Sequence, residues 1–256
     1  MTTFTSEEFK GYEFRCTSAS ANTGFKHICE VYKNNNPIDS CMSVVNWGNR
    51  TWESLQYATV LAEKYKKDLV LVSNQEKELE EVAKEISEKY GVKTVTLFKD
   101  LSTETAPQEV YDFCKENNLE IEILINNAGV FYFNDLCKTA EARINLMLHL
   151  HIRTVTQMCR LFGMDMRARG KGYILNMSSM SAWMTMPGIQ CYNASKSYIL
   201  NFSRSMWYEM KPHGVIVTAI CPGAVDTGLY GLADNLRRLA VALHVSIPPK
   251  KLAQKA

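Results

Sequence analysis

The strongest constraint on the fold is a regular alternation, after residue 41, of short apolar runs with longer amphipathic stretches. This alternation predicts strands joined by helices, which is typical of parallel βαβ units in a doubly wound α/β sheet. Strands are predicted at Met42–Val45, Leu69–Val72, Thr94–Phe98, Ile121–Ile125, Tyr173–Met177 and Val215–Ile220. Helices are predicted at Trp52–Lys66, Glu76–Tyr90, Ala106–Asn117, Glu141–Met166 and Tyr192–Lys211. Because the strands are apolar, we expect helices on both faces of the sheet.

Composition excludes several classes of protein. Of the 256 residues, 46% are hydrophobic and 22% are charged, which is ordinary for a globular protein and excludes a disordered chain. The formal net charge of +2 is too small to indicate a nucleic-acid partner or an attraction to membrane surfaces. No apolar run approaches the roughly 20 residues that span a bilayer, so no membrane span is predicted.

The cysteines and the first residues point to a compartment. None of the eight cysteines lies at C-x-x-C spacing, so we expect reduced, mostly buried thiols rather than a metal or redox motif. The first residues lack the basic and apolar regions of a signal peptide. We therefore expect a cytoplasmic protein.

Residues 1–41 differ in character from the rest of the chain. They are polar, they show no clear helical or strand period, and the asparagine run before Pro37 is typical of a turn. We expect a partly irregular N-terminal segment over residues 1–41 and a single α/β domain over residues 42–256.

In sheets of this kind, ligands bind beyond the carboxyl ends of the strands, so the residues that follow each strand are the candidates for chemistry. Ile125 is followed by Asn126-Asn127-Ala128-Gly129. Small residues at this point let a ligand approach the backbone, and asparagine side chains can brace neighbouring strand ends. A plain strand-to-loop turn explains the same four residues equally well.

A serine, a tyrosine and a lysine follow the strand that ends at Met177. Ser178 and Ser179 come directly after it, and Tyr192 and Lys196 lie four residues apart on the next predicted helix. That spacing places the phenol and the ammonium group on one helix face. A free tyrosine has a pKa of about 10, and a nearby lysine lowers it, so that Tyr192 could act as a general acid and base. A solvated helix face is the usual alternative for such a pair.

The last predicted strand is followed by Pro222-Gly223-Ala224-Val225-Asp226-Thr227. Pro-Gly fixes a sharp turn at the strand end, after which Thr227 could present its hydroxyl group to a ligand. An ordinary turn is the alternative interpretation.

Together these elements resemble the short-chain dehydrogenase/reductase family, in its single-domain branch, from about residue 42 to about residue 250. The matching residues are Asp100-Leu101, Asn126-Asn127-Ala128-Gly129, Ser179, Tyr192, Lys196 and Pro222-Gly223-x-Val225-x-Thr227. Their order and spacing agree with the family, and the combination is far more specific than any one piece.

The resemblance implies a Rossmann-like fold and NAD(P)-dependent carbonyl reduction or alcohol oxidation. Tyr192 would exchange the proton, Ser179 would orient the substrate oxygen, and Lys196 would hold the nicotinamide ribose. The resemblance places Asn127, Ala128 and Gly129 beside the ribose and nicotinamide, Thr227 at the carboxamide, and Asp100 at the adenine. The residues alone leave open whether Asp100 instead caps the next helix.

The glycine-rich loop of the family is degenerate in this chain. It aligns with Trp47–Ser54, where only Gly48 keeps a family glycine. Trp52 and Ser54 occupy the second and third glycine positions, which normally allow close approach of a pyrophosphate. Glu53 adds a negative charge that is unfavourable beside a phosphate.

Two further departures concern the ends of the family pattern. The fourth catalytic residue of the family, an asparagine, aligns with His151, which could support a water relay. The segment after Gly223 is shorter than in the family, so the last parallel strand and the oligomer that it often builds are expected to be incomplete.

Cofactor choice is weakly readable. Ser73-Asn74-Gln75 follow the second strand, and the absence of an acidic residue there favours NADP(H) over NAD(H). No metal is expected, because the pair His149 and His151 has no further matched ligand.

The loops on the substrate side are apolar, which favours a hydrophobic carbonyl or alcohol substrate, although packing explains some of these side chains. They carry Phe131, Tyr132, Phe133, Trp183, Met184, Met186, Leu229 and Tyr230. The main alternative is a non-catalytic or impaired family member whose altered glycine loop no longer binds a dinucleotide.

Overall fold

The computed structural model describes residues 13–20, 25–32, 42–47, 52–225, 246–247 and 252–254. The chain divides into two compact units, Met1–Asp39 with Lys255–Ala256, and Ser40–Gln254. The larger unit contains the sheet that sequence patterning predicts.

That sheet has six parallel strands in the order β5-β4-β3-β6-β7-β8. The strands are β3 (Met42–Trp47), β4 (Leu69–Ser73), β5 (Thr94–Phe98), β6 (Ile121–Asn126), β7 (Gly172–Met177) and β8 (Val215–Ile220). The order runs outward in both directions from β3 and β6, which confirms a doubly wound, Rossmann-like sheet. The crevice at such a reversal is where these sheets bind ligands.

The helices connect successive strands, as predicted. They are α1 (Trp52–Tyr65), α2 (Glu76–Tyr90), α3 (Ala106–Glu116), α4 (Glu141–Leu148), α5 (Val155–Arg169) and α6 (Gln190–Met210). The predicted apolar stripe of α2, formed by Leu79, Val82, Ala83 and Ile86, is buried. A π-helical turn, His149–Thr154, joins α4 to α5 without a break in the helix.

Helices cover both faces of the sheet. Alternate residues of β4 enter two different apolar clusters, Val70 and Val72 one of them and Leu69 and Leu71 the other. The first cluster includes residues of α3, α5 and α6, and the second includes residues of α1 and α2. Because side chains alternate along a strand, the two clusters lie on opposite faces of the sheet, and the expectation of two covered faces is confirmed.

Short strands lie outside the six-stranded sheet. An antiparallel hairpin of β1 (Glu13–Ser20) and β2 (Phe25–Tyr32) occupies part of the segment expected to be irregular. Two-residue strands β9 (Ala224–Val225) and β10 (Ser246–Ile247) pair in parallel with each other. Within the described residues no seventh strand joins the main sheet.

A buried ion pair lies at the amino ends of the strands. Lys67, just before β4, places its Nζ 2.9 Å from Oε2 of Glu122, the second residue of β6. The two side chains are 1% and 2% exposed. Lys171, just before β7 and half exposed, approaches the other carboxylate oxygen at 2.9 Å. The pair therefore joins β4 to β6 at the edge of the sheet opposite to the predicted ligand edge.

Two glycines make the close approach at the starts of β7 and β8 possible. Gly170 ends α5, and Gly214 ends the short turn after α6, both with positive φ. A Cβ atom on Gly214 would lie 2.0 Å from the carbonyl oxygen of Gly170. Only glycine fits at this position.

We expect Gly214→Ala to lower the free energy of unfolding by about 2–3 kcal/mol, because a left-handed alanine is strained and its methyl group meets backbone. Gly91→Ala is the matched control, since Gly91 also has positive φ but has no atom within 4 Å of the added Cβ. That control should cost about 1 kcal/mol. Urea unfolding of both variants measures the difference, and equal losses would contradict the contact with Gly170.

Cys114, Cys137, Cys159, Cys191 and Cys221 are free thiols, and Cys114 and Cys159 are deeply buried. Burial raises the pKa of each of these two thiols to about 12, so they remain protonated and unreactive. Among the described helices, none is both long and apolar enough to cross a bilayer.

Candidate active site

The carboxyl ends of β6, β7 and β8 bring the predicted site residues to one edge of the sheet. The segments after β7 and β8 are joined by two backbone hydrogen bonds, from Ser178 N–H to the oxygen of Ile220 and from Met180 N–H to the oxygen of Pro222, each 2.8 Å long. Pro222 and Gly223 therefore lie beside the serine pair, as the strand order requires.

Asparagine side chains brace the strand ends, as one interpretation of the sequence predicted. Asn126 Nδ2 donates to Asn176 Oδ1 at 2.8 Å, which links β6 to β7. Asn176 Nδ2 donates in turn to Ser203 Oγ on α6 at 3.0 Å. Sequence reasoning missed Asn176 and Ser203, because nothing local distinguishes a strand asparagine or a helix serine that pairs across the fold.

Tyr192 and Lys196 lie on one face of α6 and are both buried. Lys196 Nζ donates to the carbonyl oxygen of Met177 at 2.8 Å and lies 5.5 Å from the centre of the Tyr192 ring. Ser178 Oγ donates to the carbonyl oxygen of Lys196 at 2.7 Å. The end of β7 therefore holds the ammonium group close to the phenol, and its charge favours negative charge on the phenolic oxygen.

Ser179 is the second residue after β7, and its side chain is largely buried. Its hydroxyl oxygen accepts a hydrogen bond from Ser181 N–H at 3.2 Å, which begins a short 3₁₀ turn at Met180. A hydroxyl group fixed in this way has a proton to donate to a carbonyl or alcohol oxygen.

An apolar wall borders Tyr192. The ring of Phe131 meets the Tyr192 ring edge-on with centroids 5.0 Å apart, and Met147 and Ile189 complete a small buried cluster with that tyrosine. Further apolar side chains nearby in the sequence are exposed: Phe133, Trp183, Met184 and Met186. Asn134 N–H donates to the oxygen of Gly188 at 2.8 Å, so the two loops that carry these residues are joined.

His151 lies in the π-helical turn, fully buried, with its ring 5.8 Å from the Tyr192 ring. The residue is therefore next to the predicted general acid, as its alignment with the family asparagine implied. Its neighbour His149 is only partly buried.

Ser73 and Asp100, the residues predicted at the adenine end of the cofactor, make local hydrogen bonds. Ser73 is buried, and its Oγ accepts from Gln75 N–H at 3.1 Å. Asp100 Oδ1 accepts from both N–H and Oγ of Ser102, at 2.9 and 2.7 Å. The idea that Asp100 caps the next helix is wrong, because the N-cap of α3 is Thr105 and Asp100 instead closes a local turn.

Leu101 is buried in the core, and its carbonyl oxygen accepts from Thr154 Oγ1 at 2.6 Å. It therefore anchors the loop after β5 to the π-helical turn. The predicted residues Gly48 and Thr227 lie outside the described residues, and Val225 is described only as backbone of β9.

The described part of this edge fits the ribose and nicotinamide end of a dinucleotide. Ala128 and Gly129 carry little or no side chain, and Tyr192 and Lys196 carry hydroxyl and ammonium groups of the kind that can hydrogen-bond to ribose oxygens. Across the described residues, no three His, Cys, Asp or Glu side chains group closely enough to hold a metal ion.

The chain is similar in sequence to known proteins of one family. A family model described as short chain dehydrogenase matches residues 54–235. The very-long-chain 3-oxoacyl-CoA reductase of Anas platyrhynchos is 35% identical over 181 residues, which cover 67% of this chain and 55% of that protein. The 17-beta-hydroxysteroid dehydrogenase type 3 of Mus musculus is 31% identical over 173 residues, which cover 66% and 55%. The chain spans about half the length of these relatives.

Solved structures share the fold. The short-chain dehydrogenase from Sphingobium yanoikuyae, in complex with NADPH, superimposes with a TM-score of 0.74 at 24% identity. The match covers 84% of this chain and 82% of that one. At this level of identity the likeness concerns the architecture.

Proposed function

Since the chain belongs to the short-chain dehydrogenase/reductase family, we propose that it is an NADP(H)-dependent oxidoreductase that interconverts a hydrophobic ketone and the corresponding alcohol. The observation that carries this proposal is the convergence of Ser179, Tyr192 and Lys196 on the ligand edge of the sheet, with the lysine ammonium group 5.5 Å from the tyrosine ring.

The proposed chemistry divides between the cofactor and three side chains. Bound NADPH supplies the hydride that reduces the carbonyl carbon. Tyr192 gives its phenolic proton to the carbonyl oxygen, and Ser179 donates a hydrogen bond that orients that oxygen. Lys196, held by the Met177 carbonyl, stabilises the negative charge that remains on the tyrosine oxygen. In the oxidative direction each proton transfer is reversed.

The preference for NADP(H) rests on the end of β4. Ser73-Asn74-Gln75 offers no carboxylate to hold ribose hydroxyl groups, and none to repel a 2′-phosphate. The NADPH complex of the Sphingobium yanoikuyae relative is consistent with this choice.

We expect saturable binding of NADPH to the full chain with a Kd below about 1 mM, which corresponds to a binding free energy of about −4 kcal/mol or better. NADH, the matched comparison without the 2′-phosphate, should bind more weakly. Cofactor fluorescence titration measures both. A lack of saturation at millimolar NADPH would contradict the proposed activity, and tighter binding of NADH would contradict the cofactor preference.

The substrate class follows from the apolar wall. Phe131, Met147 and Ile189 surround Tyr192, and the exposed aromatic and methionine side chains on the two adjoining loops extend the apolar surface. The names of the relatives, a 3-oxoacyl-CoA reductase and a hydroxysteroid dehydrogenase, fit the same class. The rate of NADPH oxidation should be measured with a long-chain 3-oxoacyl thioester, a steroid ketone and a short polar ketone. We expect the thioester or the steroid ketone to be reduced faster than the short polar ketone.

The alternative of an impaired family member is favoured by the start of α1. That helix begins with Trp52-Glu53-Ser54, where the family places two glycines. Trp52→Gly with Ser54→Gly distinguishes the two functions. If the unaltered chain binds NADPH, the alternative of an impaired family member is contradicted. If only the double glycine variant binds NADPH, the altered glycine-rich loop is what prevents binding.

A further inference from the structure

His151 occupies an exceptional piece of backbone next to the proposed general acid. The π-helical turn that carries it, His149–Thr154, interrupts the regular pattern between α4 and α5. Single π turns inside α-helices occur frequently at functional sites. The side chain of His151 is 1% exposed, so its two ring nitrogens must find partners inside the protein.

Each nitrogen of the His151 ring has a hydrogen-bond partner. Nε2 lies 2.9 Å from the backbone nitrogen of Val130, in the loop after β6, and Nδ1 lies 2.9 Å from Ser195 Oγ on α6. A backbone N–H can only donate, so Nε2 accepts, and the single proton of a neutral ring is then on Nδ1 and is donated to Ser195. Ser195 Oγ donates onward to the carbonyl oxygen of Tyr192 at 2.8 Å.

A second proton on the His151 ring would be unfavourable. Protonation of Nε2 would set two donors, the ring N–H and the Val130 N–H, against each other. Burial, and then the positive charge of Lys196, hold the pKa of His151 well below its usual range. Tyr192, whose ring centre lies 5.8 Å from that of His151, and Lys196, whose charge acts on the imidazole, are the titratable groups of α6 that bear on the ring.

Gly129 gives an independent sign that the ring position is fixed. A Cβ atom on Gly129 would lie 3.0 Å from His151 Nε2. The imidazole therefore occupies the space beside the backbone of Ala128–Gly129, the segment proposed to line the nicotinamide.

We propose that His151 is a positioning residue which, as a neutral ring protonated on Nδ1, ties the loop after β6 to the first turns of α6 and so sets Tyr192 against the nicotinamide side of the site. Its bonds to Val130 and Ser195 use both ring nitrogens, so a proton relay through the imidazole itself would have to break one of these two bonds. The proposal rests on the function proposed above only for its kinetic consequence, because the protonation state of the ring can be observed without turnover.

Two-bond ¹H–¹⁵N NMR correlation on histidine-labelled full-length protein tests the state of the ring directly. The chain has five histidines, and the signal lost in His151→Asn identifies the residue. We expect one neutral tautomer with the proton on Nδ1, unchanged from pH 6 to pH 9. A ring that titrates in this range, or one protonated on Nε2, would overturn the proposal whether or not the protein binds NADPH.

Kinetics test the positioning role. His151→Ala and Ser195→Ala should each lower kcat by about 10- to 100-fold, the size of effect that misplacement of a catalytic group produces, with little change in NADPH Kd and no change in the shape of the pH profile. Lost curvature in the pH profile would indicate a relay and refute the positioning role. A wild-type kcat in both variants would refute it as well.

Gly129→Ala provides the coupling test. In the wild-type background the added methyl group meets a ring held by two hydrogen bonds, so the urea midpoint should fall. In the His151→Asn background the shorter side chain leaves space, and the fall should be smaller. Equal falls in both backgrounds would mean that the ring does not fill the space beside Gly129, contrary to the proposal.

Discussion

We expect Tyr192→Phe to lower kcat for carbonyl reduction by about a thousandfold, within the hundred- to ten-thousandfold range typical of the loss of a general acid. The substitution removes the phenolic oxygen and keeps the ring, so its edge contact with Phe131 is retained. NADPH oxidation at saturating substrate measures kcat, and a fluorescence titration checks that NADPH still binds.

Tyr198→Phe is the matched control for this prediction. Tyr198 lies on the same helix, and its hydroxyl group also has a partner, Thr156 Oγ1 at 2.8 Å, but it is on the α5 side of α6. The control should keep kcat near the wild-type value. A loss of kcat of less than about tenfold in Tyr192→Phe would be smaller than the effects typical of a general acid. Another group would then have to supply the proton.

Glu122→Leu is expected to lower the free energy of unfolding by about 3–5 kcal/mol, because it leaves the Lys67 ammonium group buried without its carboxylate. Lys67 is 1% exposed, so water cannot replace the lost partner without a rearrangement of the amino ends of β4 and β6. Urea denaturation monitored by tryptophan fluorescence gives the loss.

Two further variants separate the buried charge from other causes of instability. Lys171→Met removes the half-exposed partner of the same carboxylate and should cost less than about 1 kcal/mol. The double variant Lys67→Met with Glu122→Leu removes both buried charges and should recover most of the loss. A double variant as unstable as Glu122→Leu alone would show that the lost stability comes from packing.

The sequence predicted the elements whose pattern is local. The stripe of Leu79, Val82, Ala83 and Ile86 repeats at helical spacing, and α2 has the bounds Glu76–Tyr90 that were predicted around it. The strands Thr94–Phe98 and Val215–Ile220 were predicted with their observed bounds, because each is a short run flanked by turn residues. Because ligands of parallel sheets bind beyond the carboxyl ends of the strands, the candidate residues Asn127, Ser179 and Pro222 were sought just after the predicted strands.

The features that were missed depend on partners distant in the sequence. Ser195 became significant only when the fold placed His151, 44 residues away, against it. The hairpin of β1 and β2 was missed because its strands mix charged, polar and apolar residues without a clean alternation, so no apolar face is visible. The four residues between them, which end at Gly24, were the available signal of a turn.

The π-helical turn has a consequence for the helix that contains it. Successive residues of an α-helix are turned by about 100°, so one additional residue changes the angular phase of everything beyond it. Before the turn, Met147 faces Ile189 and Tyr192, whereas after it Met158 and Phe162 face the core beneath the sheet. The continuous helix from α4 to α5 therefore packs its apolar side chains into two different clusters. A regular α-helix with a single apolar stripe would not face both clusters. Deleting one residue here would give a more regular helix whose two halves are out of phase with their neighbours.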